Sequence, residues 1–549
     1  MKIALVSNVT IDLLQRMLKK EDQYWIADGF GNWIQPCIDA SSSLYEFSPD
    51  IVFVILDGGE LFPGNISDAQ SQNALKDVKT ALKMLVKNLG NAMVCIGTID
   101  IPQERFCEAA IPRRERQLEE QIYNCISNLV ATYNNCCIFD LKLLVEELGR
   151  NQFYDYKMKT LGGMPFSLKA LSAMKGLIEA HIRAYNGKRS KVLALDLDNT
   201  LWKGVIGEDG VDGVKLAPDK SGMPYSYLQA RAKDLRGMGI LLTIISKNNE
   251  GDVKDILNSD KMVLHKDDFV EMRINWDSKP ENLTKQAKRL NLGKDSFVFI
   301  DDNPVEREAI KQIVPEVKVP EFPADASLIP QFMKKVYIDY FFTLRTTSED
   351  RQKTQAYQAE NARHELEAES DSVESYLKRL NISVEIKRAA KDSFERISQL
   401  TQKTNQFNLT TRRYSFSEIC SMAETPDWLI VSASSSDMFG SNGLIAVMIV
   451  KINNDSKIAI VDDLLMSCRV MGRTIEHALL SAVENYLVTR GINRIEGEYI
   501  KTAKNAPVKD FWDKMNYIPI VKGDESAKYF LPLPASRSLT TYAKVKTDL

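Results

Sequence analysis

The sequence lacks most of the features that mark metal-stapled, disulfide-rich and membrane-spanning proteins. It has 4 histidines in 549 residues, and none of its 8 cysteines falls in a CxxC pair, so neither a structural zinc site nor a disulfide framework is indicated. No apolar run approaches the roughly 18 residues that a membrane helix needs. The opening MKIALVSNVTIDLL has no small-residue cleavage site, which favours a first strand over a signal peptide. We therefore expect reduced thiols in a cytoplasmic protein without a membrane span.

The sequence also lacks an excess of positive or of negative residues. Lys and Arg number 71 against 74 Asp and Glu, a net charge of −3, so the basic footprint of a nucleic-acid-binding protein is absent. Apolar residues at 44% and charged residues at 26% are typical of a soluble globular protein. The length predicts several domains.

Continuous apolar runs alternate with amphipathic stretches, which predicts α/β domains with buried parallel strands. The strand candidates are KIALVS, DIVFVIL, NAMVCIGT and NCCIFDL, then VLALDLD, GILLTIIS and SFVFIDD, with a further short strand near EVKVPEF. We predict an α/β domain over 1–185, a second over 186–340, a charged helical linker over 341–380 and a third domain over 381–535.

The run VLALDLDNT places two carboxylates at the end of a predicted strand. Because side chains at i and i+2 of an extended segment share a face, Asp196 and Asp198 are expected to point into one pocket. Two carboxylates so close repel each other unless a cation lies between them or one of them holds a proton, and Mg²⁺ prefers oxygen ligands and partners phosphate. The motif DxDxT, with Thr200, is a weak signal by itself.

Three later segments supply what phosphoryl transfer also needs. Ser246 ends the strand ILLTIIS and offers a hydroxyl to phosphate oxygens. Lys279 begins a predicted helix and places a cation near an anion. Asp301 and Asp302 end the strand FVFI and add carboxylate for a metal.

These motifs resemble the haloacid-dehalogenase superfamily, and the flanking sequence resembles its FkbH-like branch (subfamily IIIC). The segments that carry the resemblance are LDLDNTLWKGVIGEDG, SKNNE, INWDSKPEN and IDDNPVERE, with TNQFNLTTRRY and LMSCRVMGR further on. It extends over nearly the whole chain.

The resemblance implies a role for each matching residue. Asp196 would be the nucleophile that forms an aspartyl-phosphate, and Asp198 would protonate the leaving oxygen and then activate the second nucleophile. Ser246 and Lys279 would hold the phosphoryl group. Thr200 would join them at the phosphate, or steady Asp198, or cap the turn.

The resemblance also implies a magnesium shell. Its ligands would be Asp196, Asp198, Asp301 and Asp302, although an Asp at position 302 can equally serve to orient the loop. About 50 residues separate the first motif from Ser246 and about 33 separate Ser246 from the helix-initiating lysine, so neither gap holds a sizeable cap domain. An uncapped site admits a large or tethered substrate.

A strand, a turn and a long helix follow one another in KIAIVDDLLMSCRVMGRTIEHALL. The turn resembles the diphosphate-binding turn of GNAT acyltransferases, which implies a site for coenzyme A or for a phosphopantetheine arm. The candidate binding residues are Cys468, Arg469, Gly472, Arg473 and Thr474. Cys468 is either an acyl-accepting thiol, activated by the neighbouring arginines, or a packed turn residue. The polar segment 404–408 is either a loop facing this site or a capped turn.

The first strand ends in Ser7 and Asn8, loosely like the opening of an SGNH-type hydrolase, but the Gly-Asp-Ser turn and the Asp-x-x-His of such enzymes do not occur. We therefore predict a non-catalytic N-terminal domain. The predicted fold class is a multidomain α/β protein. Its Rossmann-like parallel sheet of the haloacid-dehalogenase type is flanked by a flavodoxin- or SGNH-like α/β domain and a GNAT-like α+β domain.

The resemblance implies an enzyme, a Mg²⁺-dependent phosphatase or phosphotransferase acting on a phosphorylated small molecule. FkbH-like proteins are associated with taking a glyceryl unit from 1,3-bisphosphoglycerate and loading it onto an acyl carrier protein. One departure is Ile245, where similar proteins have a cysteine before the serine. Two alternatives stay open: a phosphatase fused to an acyltransferase-like domain in surface polysaccharide assembly, and a non-enzymatic scaffold that docks a carrier protein.

Overall fold

The computed structural model describes residues 1–27, 32–102, 106–346, 348–467 and 470–549. Contacts divide the chain into two compact units, Met1–Thr354 and Gln355–Leu549. The finer division at residues 185, 340 and 380 stays a prediction. In the described ranges, no helix is both long enough and apolar enough to cross a membrane.

The first unit opens with a parallel sheet in the strand order β2-β1-β3-β4-β5. Its strands are β1 (Lys2–Ser7), β2 (Gln23–Ile26), β3 (Ile51–Ile55), β4 (Met93–Gly97) and β5 (Cys136–Phe139). The helices of this region are α1 (Asp12–Met17), α2 (Ile34–Ile38), α3 (Ser43–Phe47), α4 (Gly58–Leu61), α5 (Asp68–Asn88), α6 (Arg114–Thr132), α7 (Leu141–Leu148), α8 (Arg150–Phe153), α9 (Tyr156–Gly162) and α10 (Leu168–Tyr185).

Both faces of this first sheet are buried, which is why its strands are continuous apolar runs. On β1, Ala4 and Val6 belong to one hydrophobic cluster and Ile3 and Leu5 to another. Successive side chains of a strand point to opposite faces, so the two clusters lie on the two sides of the sheet.

The second sheet of this unit is also parallel, with the order β8-β7-β6-β9. Its strands are β6 (Val192–Leu195), β7 (Leu241–Ser246), β8 (Phe269–Ile274) and β9 (Phe297–Ile300). Around it lie α11 (Ile206–Gly213), α12 (Met223–Gly237), α13 (Glu250–Leu257), α14 (Lys279–Arg289), α15 (Pro304–Ile313) and α16 (Ile329–Val336). The carboxyl ends of β6, β7 and β9 therefore meet at one edge.

The edge strand of the second sheet differs from the prediction. The segment EVKVPEF is not a strand; Lys318 makes only an isolated bridge to Val298. The edge is instead β8, in which Glu271 is buried and paired with Arg273 at 2.7 Å. The charged residues of β8 interrupt the apolar run by which a buried strand is predicted from sequence.

The second unit is built on a mixed sheet in the order β15-β16-β14-β13-β12-β11-β10-β17. Its strands are β10 (Ser383–Arg388), β11 (Trp428–Asp437), β12 (Gly440–Asn453), β13 (Ile458–Met466), β14 (Arg494–Ile500), β15 (Ile518–Lys522), β16 (Ser526–Pro532) and β17 (Lys544–Asp548). The helices are α17 (Ser348–Ala368), which begins before the unit boundary, α18 (Val373–Leu380), α19 (Phe394–Lys403), α20 (Phe416–Glu424), α21 (Ile475–Thr489) and α22 (Phe511–Lys514). The predicted fold class, a multidomain α/β protein with parallel sheets and a mixed C-terminal sheet, is confirmed.

Asn8, which follows β1, joins the ends of the first and third strands. Its Nδ2 donates to the main-chain oxygen of Asp57 at 3.0 Å, and its Oδ1 accepts from the main-chain N–H of Asp57 at 2.8 Å. Both residues are buried. The side chain therefore satisfies two buried backbone groups that no solvent reaches.

Replacement of Asn8 by alanine should destabilise the first unit. Two buried backbone groups of Asp57 would lose their partners, at a cost of about 2 kcal/mol. The measurement is denaturant-induced unfolding. The matched control is Asn88→Ala, because Asn88 is exposed and bonds the Tyr45 hydroxyl at 3.3 Å; its effect should stay within about 0.5 kcal/mol. Equal effects of the two substitutions would contradict the role given to Asn8.

Candidate active site

Strands β6 and β9, which are neighbours in the second sheet, bring two carboxylates together. Leu195 on β6 is the register partner of Ile300 on β9. The next residues, Asp196 and Asp301, therefore leave the sheet side by side, and the main-chain N–H of Asp196 donates to the oxygen of Ile300 at 3.0 Å. Asp196 is 5% exposed and Asp301 is fully buried.

Lys279 lies between these carboxylates. It is the first residue of α14, and its Nζ is 3.0 Å from Asp196 Oδ1 and 2.6 Å from Asp301 Oδ2. The lysine itself is 4% exposed. A cation so deeply buried is stable only beside anions, so the three groups depend on one another.

Burial changes the pKa values of the groups in this cluster. It raises the pKa of Asp196 to about 6, an effect that Lys279 opposes and Asp301 reinforces. Burial also raises the pKa of Asp301 and of Asp302. For Lys279, burial favours the neutral amine, but the two neighbouring carboxylates outweigh it and raise the pKa. The buried surroundings of the site therefore stabilise its negative charge poorly.

The donor set fits a hard divalent cation. Carboxylate oxygens of Asp196, Asp301 and Asp302 lie within 4.8 Å of one another. Three carboxylates against one ammonium leave two negative charges, which one divalent ion would neutralise. Asp196 Oδ1 is buried against Lys279 Nζ at 3.0 Å, and a carboxylate oxygen keeps a second lone pair that a ligand can use. All-oxygen donors of this kind are those that Mg²⁺ prefers.

Asp198, predicted as a fourth ligand, does not belong to this set of three. Its Oδ1 accepts hydrogen bonds from Trp202 Nε1 and from the N–H of Ile206, both at 2.9 Å. Its Oδ2 accepts from Asn248 Nδ2 at 3.0 Å. The carboxylate is thus held in a fixed orientation at the edge of the site, and its predicted ligand role stays a prediction.

Asn248 is a site residue that the sequence analysis missed. Its Nδ2 also lies 3.1 Å from Ser246 Oγ, so one amide links the end of β7 to Asp198. Ser246 is 2% exposed. The signal in the sequence was the polar run SKNNE directly after a buried strand.

The turn after β9 is fixed from two sides. Thr200 is fully buried, and its hydroxyl accepts from the N–H of Asp302 at 3.2 Å. Arg307 Nη1 donates to the main-chain oxygens of Asp301 and Asp302 at 3.0 and 2.6 Å. The contact of Thr200 agrees with the turn-capping alternative; its role at the phosphate stays a prediction.

Nothing between the motifs forms a separate domain. The residues from Asp196 to Ser246 are all described, and they hold α11 and α12 before β7. The residues from there to Lys279 hold α13 and β8. Ile245 is fully buried within β7, and an isoleucine offers no thiol at this position.

The predicted coenzyme or phosphopantetheine site is only partly described. Cys468 and Arg469 lie outside the described residues. Gly472 and Thr474 have positive φ values of 75° and 57° and form the turn before α21. The Arg473 guanidinium is 6% exposed and lies 3.5 Å from both Glu360 and Asp437, so its charge is already compensated.

The chain itself covers the N-terminus of α21. The main-chain N–H of Tyr542 donates to Thr474 Oγ1 at 3.1 Å, and His477 Nδ1 lies 2.6 Å from the oxygen of Thr540. A diphosphate could reach this helix end only after the C-terminal segment moved away. The predicted site therefore stays a prediction.

A further segment of the chain lies between β13 and β14. The two parallel strands pair as far as Val461 and Gly497 and then diverge. Leu409 bonds both sides: its N–H donates to the oxygen of Leu464 at 3.1 Å, and its oxygen accepts from the N–H of Ile500 at 2.9 Å. We call residues 407–410 the strap. An extended ligand that pairs with β13 would have to displace it.

Comparisons with known proteins give one informative resemblance. No protein-family model matches the chain, and no curated protein matches it. The N-terminal part of protein BF1531 from Bacteroides fragilis, a crystal structure containing a phosphatase domain complexed with Mg, is 28% identical with a TM-score of 0.58. The match covers 63% of this chain and 94% of that one.

Acetyltransferase structures also match, with TM-scores that support no inference. The ribosomal-protein-S18-alanine N-acetyltransferase from Escherichia coli is 13% identical over 28% of this chain and 96% of its own, with a TM-score of 0.22. The GNAT domain of S. lividans PAT is 19% identical over 27% of this chain and 89% of its own, also at 0.22.

Mg²⁺ should stabilise the metal-free protein, and more so at neutral than at acidic pH. Because the folded pKa of Asp196 is raised to about 6, the folded state without metal binds more protons than the unfolded state and gains stability as the pH falls through that value. At neutral pH, Mg²⁺ supplies the missing charge and adds about 2.7 kcal/mol at a concentration of about 100 times its Kd. At about pH 5, protons compete for the same oxygens.

The measurement is the rise in Tm on adding Mg²⁺ at about pH 7.5 and at about pH 5. The rise should be larger at the higher pH and absent in Asp301→Asn. An equal rise at both pH values, or a rise that persists in the variant, would show that the ion binds elsewhere.

Proposed function

We propose that this chain, an enzyme of the haloacid-dehalogenase type with a phosphatase domain in its first unit, transfers phosphoryl groups with Mg²⁺ through an aspartyl-phosphate on Asp196. The observation that carries the proposal is the buried carboxylate of Asp196 beside Lys279, Asp301 and Asp302. The match to a phosphatase domain complexed with Mg supports it. The substrate would be a phosphorylated small molecule, and the enzyme would act in the cytoplasm.

The first half of the reaction forms the covalent intermediate. Asp196 attacks the phosphorus, so an aspartyl oxygen–phosphorus bond forms as the bond to the leaving oxygen breaks. Lys279 and the Ser246 hydroxyl hold the phosphoryl oxygens. Asp198, oriented by its three hydrogen-bond donors, gives the leaving oxygen a proton.

The second half returns the enzyme to its starting state. An incoming hydroxyl or water attacks the phosphorus, Asp198 takes the proton, and the bond to Asp196 breaks. Asp196, Asp301 and Asp302 would hold Mg²⁺, whose chemistry is to neutralise charge on the phosphate oxygens. Thr200 and Arg307 position the two ligand residues of the turn after β9.

For the substrate, we propose a phosphorylated three-carbon acid in the manner of FkbH-like proteins. The enzyme would remove phosphate from 1,3-bisphosphoglycerate and load the glyceryl unit onto an acyl carrier protein. The lack of a cap between the motifs supports a large or tethered acceptor, because the opening of the site is not closed by an inserted domain. The second unit would receive the phosphopantetheine arm.

A second candidate is a phosphatase that does not load a carrier, for example one acting in surface polysaccharide assembly. Two observations favour it. Position 245 is a buried isoleucine rather than a thiol. In addition, the strap and the C-terminal segment occupy the places in the second unit that an acyl-bearing arm would use.

Asp196→Asn should abolish phosphate release. The amide is a poor nucleophile, so we expect kcat to fall by about 10⁴-fold or more. The measurement is phosphate release from an aryl phosphate with Mg²⁺ present. Asp212→Asn is the matched control, because Asp212 is exposed and pairs with Lys261 at the surface. Residual turnover near the wild-type rate in Asp196→Asn would mean that another residue is the nucleophile.

Carrier loading should separate the two candidate functions. Purified enzyme with Mg²⁺, 1,3-bisphosphoglycerate and a carrier protein bearing its phosphopantetheine arm should yield a glyceryl mass increment on the carrier. Phosphate release without that increment would favour the second candidate. If loading occurs, Cys468→Ser tests the thiol: loss of loading with intact phosphate release would make it the acyl acceptor.

A further inference from the structure

Two cysteines lie side by side in the core of the first sheet. Cys95 on β4 and Cys137 on β5 are register partners of parallel strands, so their side chains share one face. Their sulfur atoms are 3.3 Å apart, and the residues are 0% and 5% exposed.

His181, on α10, packs against the same pair. It is 1% exposed, and one of its ring nitrogens lies within 4.8 Å of both sulfur atoms. Nδ1 is 2.8 Å from the oxygen of Leu177, and Nε2 is 3.2 Å from the oxygen of Ile138. A neutral imidazole has one N–H and can donate to only one of these carbonyls. The other nitrogen is then left with a lone pair in the core.

The surroundings of this trio are apolar. The His181 ring contacts the rings of Phe53, Phe139 and Phe342 at centroid distances of 5.8, 5.3 and 4.5 Å. In such a shell no solvent bonds the lone pairs that the thiols and the imidazole keep beside these contacts. A cation that all three bind would accept them. A histidine that donates its remaining N–H to a main-chain carbonyl is the usual second-sphere arrangement of a metal ligand.

We propose that Cys95, Cys137 and His181 bind one zinc ion. On binding, both thiols release their protons, and two sulfur–zinc bonds and one nitrogen–zinc bond form. Two thiolates, a neutral imidazole and a divalent ion sum to zero charge, whereas a monovalent copper ion would leave one negative charge in an apolar core. Zinc therefore fits the burial better among the metals that thiolates select.

This site is independent of the phosphoryl site and is built from different donors. Its ligands come from two strands and a helix that are distant in sequence, so the site has no CxxC motif by which the sequence could indicate it. The role of the ion would be structural, since it joins α10 to β4 and β5. The three side chains would leave the fourth tetrahedral position of zinc to a water molecule or a main-chain oxygen.

The test uses cobalt as a spectroscopic stand-in for zinc. The full-length protein, reduced and freed of metal with a chelator, is titrated with Co²⁺. Thiolate ligands give a sulfur-to-cobalt charge-transfer band in the near ultraviolet, which the oxygen ligands at Asp196, Asp301 and Asp302 cannot produce. We expect the band to saturate at about one ion per chain, to disappear on adding Zn²⁺, and to be lost in Cys95→Ala and Cys137→Ala.

Cys37→Ala is the matched control, because Cys37 is also fully buried but stands outside the cluster; its band should equal that of the wild type. Alkylation of the wild-type protein decides the question even if the cluster variants fail to fold. Zn²⁺ should protect Cys95 and Cys137, and not Cys37, from a thiol reagent. Absence of the band in the reduced wild type, its persistence in both cluster variants, or a Cys95–Cys137 disulfide in place of bound metal would overturn the proposal.

Discussion

The proposed phosphoryl site depends on a buried cation, the ammonium of Lys279. Asp196 and Asp301 leave neighbouring strands with carboxylate oxygens within 4.8 Å of each other, and burial alone would drive protons onto both. The lysine offsets that repulsion through a salt bridge to each carboxylate, which leaves further lone pairs on Asp196 for a nucleophile. Removing one member of such a buried group typically costs about 3–5 kcal/mol, so fold and chemistry share the same interaction.

The geometry of the candidate site could be predicted from the sequence because parallel strands end together. Asp196, Ser246 and Asp301 each follow an apolar run, and a doubly wound sheet places those ends at one edge. Asn248 and Arg307 could not be predicted with the same rule. Their contacts are a neighbouring side chain and two main-chain oxygens, which sequence spacing does not encode.

Strands without a continuous apolar run were not predicted from the sequence. Strand β2 begins with Gln23, and β8 carries a buried glutamate with its arginine. The contact between the two cysteines could not be predicted for another reason. Cys95 and Cys137 meet because they are register partners on neighbouring strands, whereas a sequence motif detects only residues that are close along the chain.

The strap also has a consequence for how the second unit assembles. Leu409 forms main-chain hydrogen bonds with both Leu464 and Ile500. Three segments that are far apart along the chain must therefore come together before the hydrogen bonding across the middle of this sheet is complete. Closing such long loops costs entropy that only the completed contacts repay. We therefore expect the β10–β13 ribbon and the β14–β16 hairpin region to form as separate intermediates, with insertion of the strap as the late, rate-limiting step that makes the unit cooperative.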